Sequence, residues 1–279
     1  MSERKAVFFD IDGTLWDWNG IIPDSAKSAI RKLSKNGHVP VICSGRAKGH
    51  IRDKELLGLG FEGIIAACGD YIEVDGKVIY EQIVEPSLIK KVIELSKRCN
   101  VPIVLEASRF HWISAHGFEN DDFVDRMYDV MKEDVIVFED YTADMNPNKI
   151  AGDVINASDY RTFKKELEPH FTFIEHGLAP NLNQNPGEDP NEVKGVFELV
   201  IPGTSKAAGI EKICEYLGIK REDTFAFGDS FNDVEMIRYV GTGIAMGNSR
   251  GDLKELADYV TTDIWNDGIK NALEHFGLI

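Results

Sequence analysis

The stretch Ala6-Val7-Phe8-Phe9-Asp10-Ile11-Asp12-Gly13-Thr14 decides the fold. Its four apolar residues stop abruptly at Asp10. An unbroken run of this kind fits a strand covered on both faces, as in a parallel sheet. Two acids at i and i+2 leave that strand together, so both can face the crevice beyond its carboxyl end, where ligands of open α/β sheets bind. Taken alone, residues 10–14 also read as a polar turn, because Asp-Gly is a common turn pair. An EF-hand loop does not fit, since the places for its glycine and its closing Glu hold Leu15 and Ile21.

Working outward, Pro23 and Asp24 open a helical pattern that puts Ala26, Ala29, Ile30 and Leu33 on one face, and Asn36-Gly37 closes it. Residues 39–43 form a second apolar strand, again ending in polar residues, Ser44-Gly45-Arg46. Strand, helix and strand in this order are the βαβ rhythm of an α/β sheet. The rhythm changes across 76–85. A helix over 87–98 and two adjacent strand-like runs, 101–106 and 110–114, then suggest an antiparallel insertion. The Asn-, Pro- and Gly-rich stretch 180–190 reads as a loop or hairpin tip. Alternation resumes after Phe197, with a helix over 204–217, strands at 224–227, 243–246 and 259–261, and helices from Asp252 and Gly268.

A second acidic cluster, Gly228-Asp229-Ser230-Phe231-Asn232-Asp233, follows the apolar run 224–227. In isolation such acids can simply complement a helix dipole, Ser44 can be a turn residue, and Lys206 a solvated charge. Together they all fall at or just beyond strand ends and supply complementary chemistry. Several carboxylates can share a divalent cation, while a hydroxyl and an ammonium can engage phosphate oxygens.

Composition narrows the partners. The 31 basic and 47 acidic residues give a formal charge of −16, which opposes nucleic acid and anionic membranes. The four cysteines, Cys43, Cys68, Cys99 and Cys214, form no CxxC pair, so neither a disulfide framework nor a zinc site is expected of them. No leader or membrane span is read near Met1, and the chain is expected to be soluble and cytoplasmic.

The ordered set DIDGT (10–14), SGR (44–46), Lys206 and GDSFND (228–233) resembles the haloacid dehalogenase (HAD) superfamily, specifically its Cof-like phosphatases with a large inserted cap (subfamily IIB). The likeness continues in AMGN (245–248), in ADYVTTD (257–263) and in the DGI that follows (267–269). It implies a doubly wound parallel-sheet α/β core from 1–84 and 203–279, an α+β cap over 85–202 and an active site between the two; the Pro/Gly composition of 82–86 and 201–203 suggests hinges there.

Carried over residue by residue, the resemblance implies that Asp10 is the nucleophile, forming an aspartyl-phosphate, and that Asp12 is the general acid/base, which asks Asp12 to be less acidic than Asp10. Magnesium would be held by Asp10, Asp229 and the backbone carbonyl of Asp12, with Asp233 supporting from behind. Ser44, Gly45, Lys206 and Asn232 would bind the phosphoryl oxygens. The family often has Asn-Gly-Ala where this chain has Cys68-Gly69-Asp70, and Lys-Gly where it has Lys206-Ala207.

The expected reaction is hydrolysis of a small phosphorylated metabolite, a sugar phosphate first. A phosphomutase using the same intermediate and a non-enzymatic metabolite-binding or phospho-accepting regulatory module remain alternatives. Hydrolytic dehalogenation needs no second acid, so Asp12 favours phosphoryl transfer. Within the cap, Arg109 and His111, beside Trp112 and His116, are candidate donors to the substrate; the alternative is that Trp112 is cap core and the others are solvated. The oligomeric state stays open.

Overall fold

All four residues of the strand Ala6–Phe9 are fully buried, because strands pair with it on either side and other elements cover both its faces. In the computed structural model, which describes residues 4–115, 122–154, 157–176 and 195–279, this strand lies inside an eight-stranded sheet. The order is Tyr259–Val260, Thr242–Ala245, Thr224–Gly228, Ala6–Phe9, Val39–Cys43, Gly63–Ala66, Tyr71–Val74, Lys77–Glu81. The first six strands run parallel, and the last two form an antiparallel edge, as many doubly wound sheets do.

The helix Asp24–Lys35 buries Ala26, Ala29, Ile30 and Leu33, the face its sequence spacing marks out. On one side of the sheet, Ala6, Phe8, Val39 and Val41 pack with Ile210 and Ile213 of the helix Lys206–Leu217. A buried Phe of this kind contributes roughly 1.5–3 kcal/mol of hydrophobic stabilisation.

The chain divides into two units, one made of Met1–Arg46, Arg52–Glu81 and Thr204–Ile279, the other of Ala47–Ile51 and Gln82–Gly203. The second unit has its own six-stranded sheet, ordered Thr172–His176, Gly195–Val200, Lys149–Val154, Ile103–Glu106, His111–Ser114, Val135–Phe138. Its neighbours pair antiparallel except for the last two strands.

Alternation along Ile103–Glu106 gives the two faces of this sheet different cores. Ile103 and Leu105 join Trp112, Phe163 and Phe197 in one cluster, whereas Val104 and Ile113 meet Val124, Met127 and Met131 of the helix Asp122–Met131. The adjacent strand-like runs of the sequence are thus an antiparallel pair, Leu105 opposite Trp112. The stretch 180–190 and His116 lie outside the described residues. No helix among the described residues is long and apolar enough to cross a membrane.

Candidate functional site

Pairing of the parallel strands Ala6–Phe9 and Thr224–Gly228, Phe9 opposite Phe227, sets the site. The ladder runs one step further, Asp10 N–H donating to the Phe227 carbonyl at 3.0 Å, so Asp10 and Asp229 emerge side by side at the carboxyl ends of the strands. The strand Val39–Cys43 pairs on the other flank and delivers Ser44 there.

Lys206, the first residue of its helix, is buried between two carboxylates. Its Nζ lies 2.5 Å from Asp10 Oδ1 and 2.6 Å from Asp233 Oδ1. The helix start is fixed by Ser205, whose hydroxyl accepts from Ala208 N–H at 3.1 Å. Asp233 Oδ2 accepts from the backbone N–H groups of Asp229 and Ser230, both at 3.0 Å. Both oxygens of Asp233 are therefore committed. Asp10 spends Oδ1 on Lys206, and Asp229 spends Oδ1 on the Thr14 hydroxyl at 3.0 Å.

Gly13 permits this closeness. Its φ is +83°, and an added Cβ would stand 2.4 Å from Asp229 Oδ2, so a larger residue would drive the two loops apart. Asn248 braces the same turn, its Nδ2 donating to the Gly13 carbonyl at 2.7 Å while its Oδ1 accepts from Ile264 N–H at 3.0 Å.

Oxygens of Asp10, Asp229 and Asp233 lie within 4.8 Å of one another. Three buried carboxylates face one ammonium, an excess of negative charge that a hard divalent cation would neutralise with the oxygen donors it prefers. The titration behaviour carries that excess. Burial, then the Asp233 charge, push Asp10 up to about 8 against the pull of Lys206. Burial and Asp233 raise Asp229 to about 6. Burial opposes the charge on Lys206, but Asp10 and Asp233 hold it protonated well above the ordinary lysine value.

Asp12 behaves in the opposite way. Its side chain is 36% exposed, Arg46 grips both oxygens at 2.7 and 2.8 Å, and Trp16 Nε1 donates to Oδ1 at 2.9 Å. Burial pushes Asp12 up, but Arg46 and Trp16 outweigh it and hold the carboxyl below its usual value. The expectation that Asp12 is less acidic than Asp10 is therefore reversed in this structure, for a definite reason: Asp12 has its own guanidinium, whereas Asp10 shares one ammonium with like charges.

Ser44 is buried, and its Oγ accepts from Arg46 N–H at 3.1 Å. A Cβ on Gly45 would stand 3.7 Å from Asn232 Nδ2, which places the exposed Asn232 beside that loop. The core residues named from the sequence thus gather at the ends of three neighbouring strands.

The cap residues do not share one setting. Arg109 is 73% exposed, with its guanidinium 4.6 Å from the centre of the Phe110 ring. His111 and Trp112 are both buried: Trp112 belongs to the core of its unit, as the alternative reading has it, and His111 is not a surface donor, because Gly49 and His50 cover the opposite face of the strand. Sequence reasoning gave no role to Arg46, Trp16 or Asn248. The quoted SGR and AMGN motifs contain two of them, but only the fold shows what they touch.

Comparison with known proteins places the chain in a family. The YkrA protein of Bacillus subtilis (strain 168) is 31% identical over 284 residues, covering 99% of each chain. The 5-amino-6-(5-phospho-D-ribitylamino)uracil phosphatase YcsE of the same strain is 26% identical over 276 residues, covering 98% of this chain and 96% of its own. The solved structure of a HAD subclass IIB sugar phosphatase matches with a TM-score of 0.78 at 27% identity, covering 99% of this chain and all of that one. A family model for haloacid dehalogenase-like hydrolases matches residues 7–273, and with both acidic loops and Lys206 inside that span, the chain belongs to the haloacid dehalogenase-like hydrolase family.

Proposed function

We propose that this chain is a cytoplasmic, magnesium-dependent phosphatase that hydrolyses a small phosphorylated metabolite, a sugar phosphate first, through an aspartyl-phosphate on Asp10. The observation that carries the reading is Asp10 at a strand end, paired with the buried Lys206 and flanked by Asp229.

An oxygen of Asp10 attacks phosphorus, the ester P–O bond breaks, and Asp12 gives its proton to the departing alkoxide. Water then attacks the same phosphorus while Asp12 takes its proton, releasing inorganic phosphate and restoring Asp10. With Arg46 on both its oxygens Asp12 is ionised, the form that activates water, so the first half of the cycle requires that pair to loosen.

Asp10, Asp229 and the Asp12 carbonyl would hold magnesium, and Asp233, its oxygens already engaged, would orient Lys206 and the Asp229 loop. Bound magnesium supplies positive charge that favours ionised Asp10 and offsets charge on the phosphoryl oxygens. Ser44, the Gly45 N–H, Lys206 and Asn232 would bind those oxygens. Selectivity for the rest of the substrate is assigned to the inserted unit, with Arg109 as its exposed cationic candidate.

The test is phosphate release across a broad panel of phosphorylated metabolites, with magnesium and with chelator. Turnover of sugar phosphates that vanishes in chelator is expected; full activity in chelator, or no release from any ester, overturns the reading.

A further inference from the structure

The second unit brings together a set of side chains that the proposed reaction does not use. Strand register places His111 opposite Glu106 and Glu106 opposite Lys149, so the three side chains stand in a row on one face of the sheet. All three are buried. Onto this row comes the segment Ala47–Ile51, which belongs to the same unit. Its His50 ring lies 4.3 Å from the His111 ring between centroids, and His50 Nδ1 is 4.0 Å from Glu106 Oε2.

Gly49 makes the approach possible. Its N–H donates to the Ala107 carbonyl at 3.3 Å, and an added Cβ would stand 2.7 Å from His111 Cε1 and 2.8 Å from the Ala107 oxygen. The buried Glu106 Oε2 accepts no hydrogen bond. Its cationic neighbour, Lys149 Nζ, is 3.6 Å from it but 2.8 Å from Glu198.

We propose that His50, Glu106 and His111 form a second cation site, suited to zinc or a similar first-row transition ion, which clips the segment Ala47–Ile51 to the sheet of the second unit. Donor atoms of the three residues lie within 4.8 Å of one another. Tetrahedral coordination at about 2.0–2.1 Å needs donors roughly 3.3–3.5 Å apart, which modest side-chain rotation supplies. Two imidazole nitrogens and one carboxylate oxygen favour such an ion over magnesium, which prefers oxygen alone. Glu106, Glu198 and Lys149 together leave one net negative charge, which offsets half the charge of a divalent cation. Water would take the remaining position.

The test uses the full-length chain with excess magnesium to occupy the acidic cluster of the first unit, and cobalt(II) as the probe. One equivalent of cobalt should give the intense visible bands of a low-coordinate nitrogen-containing site and be displaced by zinc. His50→Gln should weaken binding by more than about 100-fold, beyond the usual cost of losing an outer-shell partner. Gly49→Ala, which keeps every ligand, should weaken it as well, with circular dichroism confirming that both variants are folded. Absence of cobalt binding under magnesium, or unchanged affinity in folded His50→Gln, overturns the proposal. Should that variant not fold, zinc-edge X-ray absorption of the wild-type chain decides: imidazole scattering supports the site, and an all-oxygen shell contradicts it.

Discussion

The Arg46 guanidinium clasps both oxygens of Asp12, Nε donating to Oδ2 at 2.7 Å and Nη2 to Oδ1 at 2.8 Å. Asp12 is therefore held ionised below the usual carboxylate range, and the pair is stabilising above the depressed value and lost as pH falls through it. Arg46→Ala should move the Asp12-controlled limb of the kcat against pH profile to higher pH. Arg46→Lys should restore it only in part, because an ammonium cannot reproduce the two-pronged geometry. An unmoved limb in Arg46→Ala would mean that Asp12 does not govern it.

Asp12→Ala should lower turnover by about 10²–10⁴-fold, the usual contribution of a positioned acid/base. The loss should be smallest for esters with good leaving groups, which need less protonation. A Brønsted series over aryl and alkyl phosphates checks this, and equal losses across it would leave Asp12 a structural role only.

Asn248 reaches the Gly13 carbonyl from a loop distant in sequence, and Gly13 in turn lies against Asp229. Asn248→Ala removes this hydrogen bond and the one accepted from Ile264 N–H, and should cost about 1–3 kcal/mol of stability. Magnesium affinity should fall by about 10–100-fold, as for other ligand-orienting partners. Magnesium titration of activity, beside a thermal melt, separates the two effects.

Asp70 offers a pH-dependent test away from the acidic cluster. Burial pushes it up to about 7, opposed by the Thr204 hydrogen bond and Lys212, and its Oδ2 is buried without a hydrogen-bond partner. The folded protein thus keeps a proton on Asp70 that the unfolded chain releases near a pKa of about 3.9. Between those values the folded state binds more protons, so this group makes stability fall as pH rises. Asp70→Asn cannot ionise and should flatten the slope, gaining of the order of 1–3 kcal/mol at neutral pH. Urea melts at pH 5 and pH 8 measure the difference, and parallel slopes in both proteins would contradict it.

Core strands such as Ala6–Phe9 and Thr224–Gly228 were legible because complete burial writes itself as unbroken apolar runs, but the equally buried Gly63–Ala66, only four residues long and opened by a glycine, was not read. The edge hairpin Tyr71–Val74 and Lys77–Glu81 was not read, since its second strand is largely solvated and its apolar and polar residues mix. Its turn signal was nevertheless present: Asp75-Gly76, both at positive φ, is a two-residue hairpin loop.

In the second unit, Lys149–Val154 begins with a lysine that is buried against Glu106 and Glu198, a pairing that disguises an interior strand. The acids of the first unit could be listed from their motifs, but the Arg46 clasp depends on strand register. His111 read as a donor at a lid surface because a histidine between strand-like runs carries no burial signal of its own, whereas the sheet places it inside.

The central claim is that Asp10 accepts the phosphoryl group. The direct measurement is acid quenching of a single turnover with radiolabelled substrate, followed by peptide mapping of the trapped label. An acid-stable, hydroxylamine-sensitive label is expected on the peptide carrying Asp10, absent in Asp10→Asn. Label on Asp12 instead, or substantial turnover by Asp10→Asn, would contradict it.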